Sequence, residues 1–295
     1  MPEDSLHLPD GVSTTALGVA WIRAAESRRA DRLFDDPLAA RFVAAAGWEP
    51  VDLPDRPPED PAVRGLLVMA QSVIVRTRFL DDLVMGAWAA GARQVVILGA
   101  GLDTRAFRLP WPDGGHCFEL DLPPVLDFKE KALAGSGAEP RCRRTVLAAD
   151  LLGDWPSALL DAGFERAIPT VWLAEGLFIY FSQAENDRIM AEIGALSTLG
   201  DRLGLTYSRG TGTAPAPPPS APPPPGLELL ADPGAVIALW RWDPPDDLTA
   251  WLAGHGWAAE TYDREERAAA YDRRVPWAED ADAATRTVLI DAHRL

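Results

Sequence analysis

The chain has 295 residues, enough for one or two domains with a sizeable core. It is 47% hydrophobic and 24% charged, which excludes a disordered tail. Lysine and arginine number 28 against 44 acidic residues, and the net charge of −16 excludes a general nucleic-acid binder, which needs basic surface for phosphates.

The stretch up to Trp48 reads as helical, with Ala16, Val19, Ala20 and Ile22 opening an amphipathic pattern. Asp36-Pro37 marks a second helix start, with Asp36 as N-cap and Pro37 at the first helical position. Residues 50–61, rich in proline and acid, read as a loop, and a long helix is predicted over 62–90 with Gly91 as its cap. The period then changes. Gln94-Val95-Val96-Ile97-Leu98 is a short apolar run ending in Gly99-Ala100-Gly101, as expected of a buried parallel strand entering a glycine turn. Further strands are predicted over 116–121, 144–150, 169–176 and 201–207, with helices over 123–134 and 183–197. Residues 214–225 form a proline tract, read as an inserted surface spacer. A helix over 246–254 and two late strands over 257–262 and 286–292 complete the chain. Strand and helix in alternation predict an α/β, doubly wound Rossmann-like sheet, mostly parallel with a late antiparallel strand. The expected division is a helical cap over 1–61 and a main domain over 62–295.

Cys117 and Cys142 are the only cysteines, too few for a disulfide framework or a zinc cluster, so no metal is expected. The acidic start Met1-Pro2-Glu3-Asp4 has no apolar leader segment, and no apolar run reaches the roughly 20 residues that span a bilayer. The expected compartment is the cytoplasm, with neither membrane nor nucleic acid as partner.

Three predicted strands end in a carboxylate: Asp121, Asp150 and Glu175. Ligands of open α/β sheets bind outside the carboxyl ends of the strands, so these acids are expected to converge beside the Gly99–Gly101 turn. Glycine there lets a ligand approach the backbone. Asp121 lies 20 residues beyond Gly101, the spacing of a carboxylate that accepts hydrogen bonds from a ribose diol. The ligand is therefore expected to be a nucleoside. The run Gly99-Ala100-Gly101-Leu102-Asp103-Thr104 lacks the third glycine of a dinucleotide fingerprint, and Asp103 stands where a pyrophosphate would meet a helix start. Both features disfavour a nicotinamide dinucleotide and favour S-adenosylmethionine. Asp103 has a second reading as a helix cap.

Taken together, Thr15-Ala16-Leu17, Ala24-Ala25-Glu26-Ser27-Arg28, Phe34-Asp35-Asp36-Pro37, Arg76-Thr77-Arg78-Phe79, Gly99 through Arg105, Glu119-Leu120-Asp121-Leu122-Pro123, Ala149-Asp150-Leu151 and Glu175-Gly176-Leu177-Phe178-Ile179-Tyr180 resemble the leucine carboxyl methyltransferase family. Within it, the closer likeness is to the bacterial small-molecule branch, which includes polyketide carboxyl methyltransferases. The resemblance runs from about residue 11 to the C-terminus and is weakest over 208–235. It implies a class I S-adenosylmethionine-dependent methyltransferase with an added N-terminal helical cap. By resemblance, Arg76 binds the methionine carboxylate, Gly99 and Gly101 pass the methionine part, and Asp121 holds the ribose. Asp150 and Leu151 read the adenine, Glu175 approaches the ammonium, and Gly176 leaves room for it. A basic cap residue on the cofactor carboxylate is also implied, with Arg23, Arg28 and Arg29 as alternatives. Read without the family, Arg76 pairs with Asp81 or Asp82.

Tyr180 and Tyr207 are candidates for the acceptor pocket, and Trp240 and Trp242 read as core before pocket. His116, His255 and His293 stand away from predicted carboxyl strand ends, which leaves no evident general base. A carboxylate acceptor, ionised at neutral pH, needs none. The expected substrate is thus a small organic acid or an acidic phenol, O-methylated in natural product biosynthesis. The negative charge of the chain calls for a local basic approach, sought in Arg23, Arg28, Arg29 or Arg209. The competing readings are a hydroxyl O-methyltransferase, a nicotinamide-dependent oxidoreductase and a non-catalytic cofactor-binding scaffold.

Overall fold

A computed structural model describes residues 12–49, 52–53, 61–210, 239, 241, 245, 247–273 and 285–295. The proline tract, Trp240, Trp242 and the side chain of Arg209 lie outside the described residues. In chain order the elements are α1 (Val12–Ser27), α2 (Ala39–Ala45), α3 (Pro61–Ala89), β1 (Gln94–Leu98), α4 (Arg105–Arg108), β2 (His116–Asp121), α5 (Pro123–Leu133), β3 (Arg143–Ala148), α6 (Trp155–Asp161) and β4 (Thr170–Ala174). A 3₁₀ turn over Phe178–Tyr180 follows, then α7 (Gln183–Leu196), β5 (Arg202–Gly210), α8 (Leu248–Gly254), β6 (Trp257–Asp263), α9 (Arg264–Ala270) and β7 (Thr285–Arg294).

The seven strands form one sheet in the order β3-β2-β1-β4-β5-β7-β6. Strands β1 to β5 pair in parallel, and β7 runs antiparallel between β5 and β6. β1 lies at the centre, and its five residues are all buried because both faces of the sheet are covered. Alternation along β1 sends Val96 and Leu98 to one core, with Phe118, Trp172, Ile189 and Trp257. Val95 and Ile97 go to the other, with Leu80, Leu83 and Leu173. Local chemistry fixes the helix ends. Ser182 and Glu185 form a reciprocal capping box at the start of α7. Pro123 opens α5, where the missing N–H costs nothing. Gly91, at φ +108°, follows the end of α3.

α3 serves two layers. Its leading half, from Leu67 to Ile74, packs with Trp21, Ile22, Phe34 and Val43 of the cap. Its trailing half, from Val75 to Trp88, packs on the sheet. The expected boundary at residue 61 is the start of this helix, whereas the change of packing partner falls in its middle. No helix among the described residues is long and apolar enough to cross a membrane.

Two sequence expectations need correction. The helix expected to open at Pro37 begins at Ala39; Asp36 still accepts from Ala39 N–H through Oδ1 at 3.2 Å, as a cap does, while its Oδ2 turns inward to Arg23 and Thr104. The third strand ends at Ala148, so Asp150 stands two residues beyond it and not at its last position. β5 carries Gly204 against α3, where an added Cβ would stand 2.8 Å from Leu80 Cδ2 and 3.0 Å from Leu173 Cδ2. Gly204→Ala is therefore expected to cost about 1–3 kcal/mol of stability through overpacking, read from urea unfolding midpoints.

Candidate active site

The loop after β1 turns through Gly99 and Gly101, both at positive φ (+62° and +49°), a conformation that favours glycine. A Cβ at Gly99 would lie 2.6 Å from Leu177 Cδ1, and one at Gly101 would lie 3.4 Å from Ala16 Cβ of α1. The chain's own packing thus demands glycine at Gly99 as much as a ligand does, and α1 lies directly over the turn. Asp121, at the end of β2, accepts a hydrogen bond from Gly101 N–H at 2.5 Å and another from Leu122 N–H at 2.7 Å. Burial pushes the Asp121 carboxyl up despite these two amides. Ala149 N–H donates to the Asp121 carbonyl at 2.9 Å, which brings the Asp150 loop beside the Asp121 loop. Asp150 is exposed and accepts from Leu152 N–H at 2.9 Å, and Leu151 is buried. Below Asp121 on the same strand, Glu119 pairs with Lys129 at 2.7 Å, both fully buried.

The third acid, Glu175, lies in a buried network of six charged side chains. Arg76 of α3 donates from Nε to Glu175 Oε1 at 3.0 Å. Arg105 of α4 donates from Nη2 to Glu175 Oε2 at 2.9 Å, from Nε to Asp81 Oδ1 at 2.8 Å, and from Nη1 to Asp103 Oδ2. Arg108 grips Asp81 with both terminal nitrogens. Three guanidinium groups face three carboxylates, so the cluster is neutral. Burial raises the Asp103 carboxyl, but Arg105, Lys129, Arg23 and Arg108 together bring it down to about 2. Burial likewise opposes the Glu175 charge, and Arg105 and Arg76 overcome it to hold its carboxyl below the usual range.

Asp103 accepts from Arg105 N–H at 2.6 Å and pairs with the Arg105 side chain, while the N-cap position of α4 itself is Thr104. The Asp103 charge is thus compensated within the chain. Arg76 pairs with neither Asp81 nor Asp82. Asp82 is instead engaged by Arg78 at 2.9 Å. The room at Gly176 is filled by Arg76, whose Nη1 would lie 3.3 Å from an added Cβ.

Of the three cap arginines, Arg23 reaches the glycine loop, donating from Nη2 to the Leu102 carbonyl at 2.5 Å while pairing with Asp36 at 3.0 Å. Arg28 pairs with Asp52 and Arg29 with Asp31 near the surface. Tyr180 donates to Thr15 Oγ1 at 3.0 Å, joining the 3₁₀ turn to α1, and burial pushes its hydroxyl up while Arg76 lowers it. Tyr207 is buried in the sheet core beside Leu205 and Trp257. Arg105, Asp81 and Arg108 are site residues that the sequence reading did not single out. The short spacing Asp103-Thr104-Arg105 was their only local signal.

The strand order, the glycine turn after β1 and the acid after β2 define the class I methyltransferase fold. The leucine carboxyl methyltransferase family model matches residues 16–194, and the chain belongs to that family. A candidate S-adenosyl-L-methionine-dependent methyltransferase of Streptomyces coelicolor is 47% identical over 269 residues, covering 90% of this chain and 89% of its own. A protein of the same description from Mycobacterium avium is 37% identical and covers 99% of this chain and 98% of its own. The crystal structure of a DUF574 family protein from Streptomyces avermitilis shares the fold at a TM-score of 0.52 and 15% identity, covering 94% of this chain and 97% of that one.

A depressed carboxyl contributes stability above its unfolded value and loses it as pH falls through the folded one. For Asp103, moved from 3.8 to about 2, the contribution is about 2 kcal/mol, with roughly half gone by pH 3. Asp103→Asn is therefore expected to destabilise the protein most at pH 5 to 7, with the gap to wild type narrowing towards pH 3 in urea unfolding.

Proposed function

We infer that this chain is an S-adenosyl-L-methionine-dependent O-methyltransferase that esterifies a carboxyl group, or methylates an acidic phenol, of a small natural-product-like molecule. One observation carries the reading. At the crevice a guanidinium, Arg76, and a carboxylate, Glu175, stand 3.0 Å apart at the more open edge of a charge-neutral cluster. An amino-acid end, itself zwitterionic, can divide this pair and keep the cluster neutral, with its carboxylate on Arg76 and its ammonium on Glu175. A pyrophosphate would bring uncompensated negative charge into a buried site.

The rest of the crevice fits the same ligand. Asp121 keeps lone pairs free beyond its two amide bonds and takes the ribose hydroxyls. Asp150 and the Leu151 amide lie one loop further along the rim and take the adenine. The bound cofactor supplies an activated methyl group from its sulfonium. The chain's own task is then to hold the acceptor oxygen in line and keep water out. α1, closed on Gly101 and tied to Tyr180 through Thr15, supplies that cover.

Among the described residues, the placement of the histidines favours an acceptor that arrives ionised. His116 is at the amino end of β2, where burial first and Arg143 second bring it down to about 4. His255 follows α8 and His293 lies near the end of β7. A carboxylate needs no proton removed, and the family's description as leucine carboxyl methyltransferases points the same way. We assign the acceptor side of the site to Tyr180, whose hydroxyl is tied to α1 through Thr15.

Isothermal titration with S-adenosylhomocysteine is expected to show saturable binding. Asp121→Ala should weaken it by about 100-fold or more, the cost of two charge-assisted hydrogen bonds at roughly 1.5–3 kcal/mol each. With methyl-labelled cofactor and a panel of carboxylic acids and phenols, label should appear in an alkali-labile ester or in the aryl methyl ether of an acidic phenol. Label found only in an alkali-stable ether of an unactivated alcohol, or in an N-methyl product, would overturn the acceptor assignment.

A further inference from the structure

We propose that Arg105 is a positioning residue for ligand recognition, one that fixes Glu175 so that this carboxylate presents a single orientation to the ammonium of the bound amino-acid end. The inference rests on the cofactor reading above and extends it to a residue with no place in the crevice itself.

The geometry separates the two arginines on Glu175. The Arg76 side chain is 16% exposed and stands on the open side. The Arg105 side chain is 1% exposed and stands behind. Each nitrogen of the Arg105 guanidinium serves a different carboxylate on a different element: Nε on Asp81 of α3, Nη1 on Asp103 of the glycine loop, Nη2 on Glu175 after β4. A planar fork bonded at three corners cannot rotate without breaking a buried charge-assisted bond. Glu175 Oε2 is therefore pinned, and Oε1 is the oxygen left facing Arg76 and the crevice. When a ligand carboxylate draws Arg76 away, Arg105 keeps Glu175 ionised and in place. Without it, Glu175 would be a largely buried carboxylate with no fixed partner at the moment of binding.

Asp81 acts at one remove. It holds the far side of Arg105 and is itself held by Arg108, whose Nε also contacts Thr104 Oγ1 at 3.2 Å. Lysine cannot replace Arg105, because a single ammonium does not span three carboxylates arranged around a plane.

The test compares two ligands that differ only in the amino-acid end. S-adenosylhomocysteine carries it, and 5′-methylthioadenosine does not. Arg105→Lys is expected to weaken S-adenosylhomocysteine by at least 10-fold and to change 5′-methylthioadenosine by less than 2-fold. Arg105→Met should do the same more strongly. Asp81→Asn, which leaves Arg105 in place with one anchor weakened, should show the same selectivity on a smaller scale and serves if the Arg105 variants do not fold. Adding Arg105→Lys to Glu175→Gln should cost no more than Glu175→Gln alone. Equal weakening of both ligands, or additive losses in the double variant, would overturn the positioning role. A wild-type chain that bound neither ligand would instead overturn the cofactor reading, and the proposal with it.

Discussion

The site depends on placing a guanidinium in the interior with three carboxylates around it. Arg105 is removed from water and retained only because Asp81, Asp103 and Glu175 replace its hydration. Removing one partner of such a pair typically costs about 3–5 kcal/mol, because the other charge is left buried and alone. The cluster therefore locks three segments to one another: the long helix α3, the loop after β1 and the end of β4. These segments carry Arg76, the glycine turn and Glu175. Their relative positions are set by charge geometry as well as by the apolar packing beneath.

The cap is joined to this frame by a second buried ion pair. Asp36 receives the Thr104 hydroxyl at 2.7 Å and pairs with Arg23 at 3.0 Å, and Arg23 reaches across to the Leu102 carbonyl. The loop that carries Gly99 and Gly101 is thus braced from the cap side as well as the sheet side. Glu26 of α1 is also held by Arg273, at 2.9 and 3.1 Å, far along the chain. Closure over the crevice is built from polar ties whose partners are distant in sequence.

That distance explains what the sequence could and could not reveal. The strands were legible because Gln94–Leu98 and its parallel neighbours are short apolar runs that end in glycine or acid, a pattern imposed by burial on both faces. Asp121 was legible because its spacing from Gly101 follows from one strand-turn-helix-strand unit, and Asp121 does meet Gly101 N–H. Arg105 was not. Its partners lie 24 and 70 residues away, and no periodicity announces a pairing at such separations. Asp36 is legible as a cap from the Asp-Pro step, and its Oδ1 does accept from Ala39 N–H, although regular helix starts only at Ala39. Its second role, Oδ2 on Arg23 and Thr104, has no local signal because Thr104 lies 68 residues away. Asp103 was read as a charge facing a ligand or as a cap. The cap position of α4 is Thr104, and Asp103 instead holds Arg105, two residues on, by both its amide and its side chain.

The double duty of α3 bears on how such proteins diversify. At 29 residues it is about 43 Å long, and its two halves answer to different neighbours. A recombination event that swapped the N-terminal segment at the helix start would part Leu67 and Ile74 from Trp21 and Phe34, their partners in one apolar cluster. Exchange between relatives must therefore carry the leading half of this helix along with the cap, as one heritable block whose seam lies inside a helix and not in the loop before it.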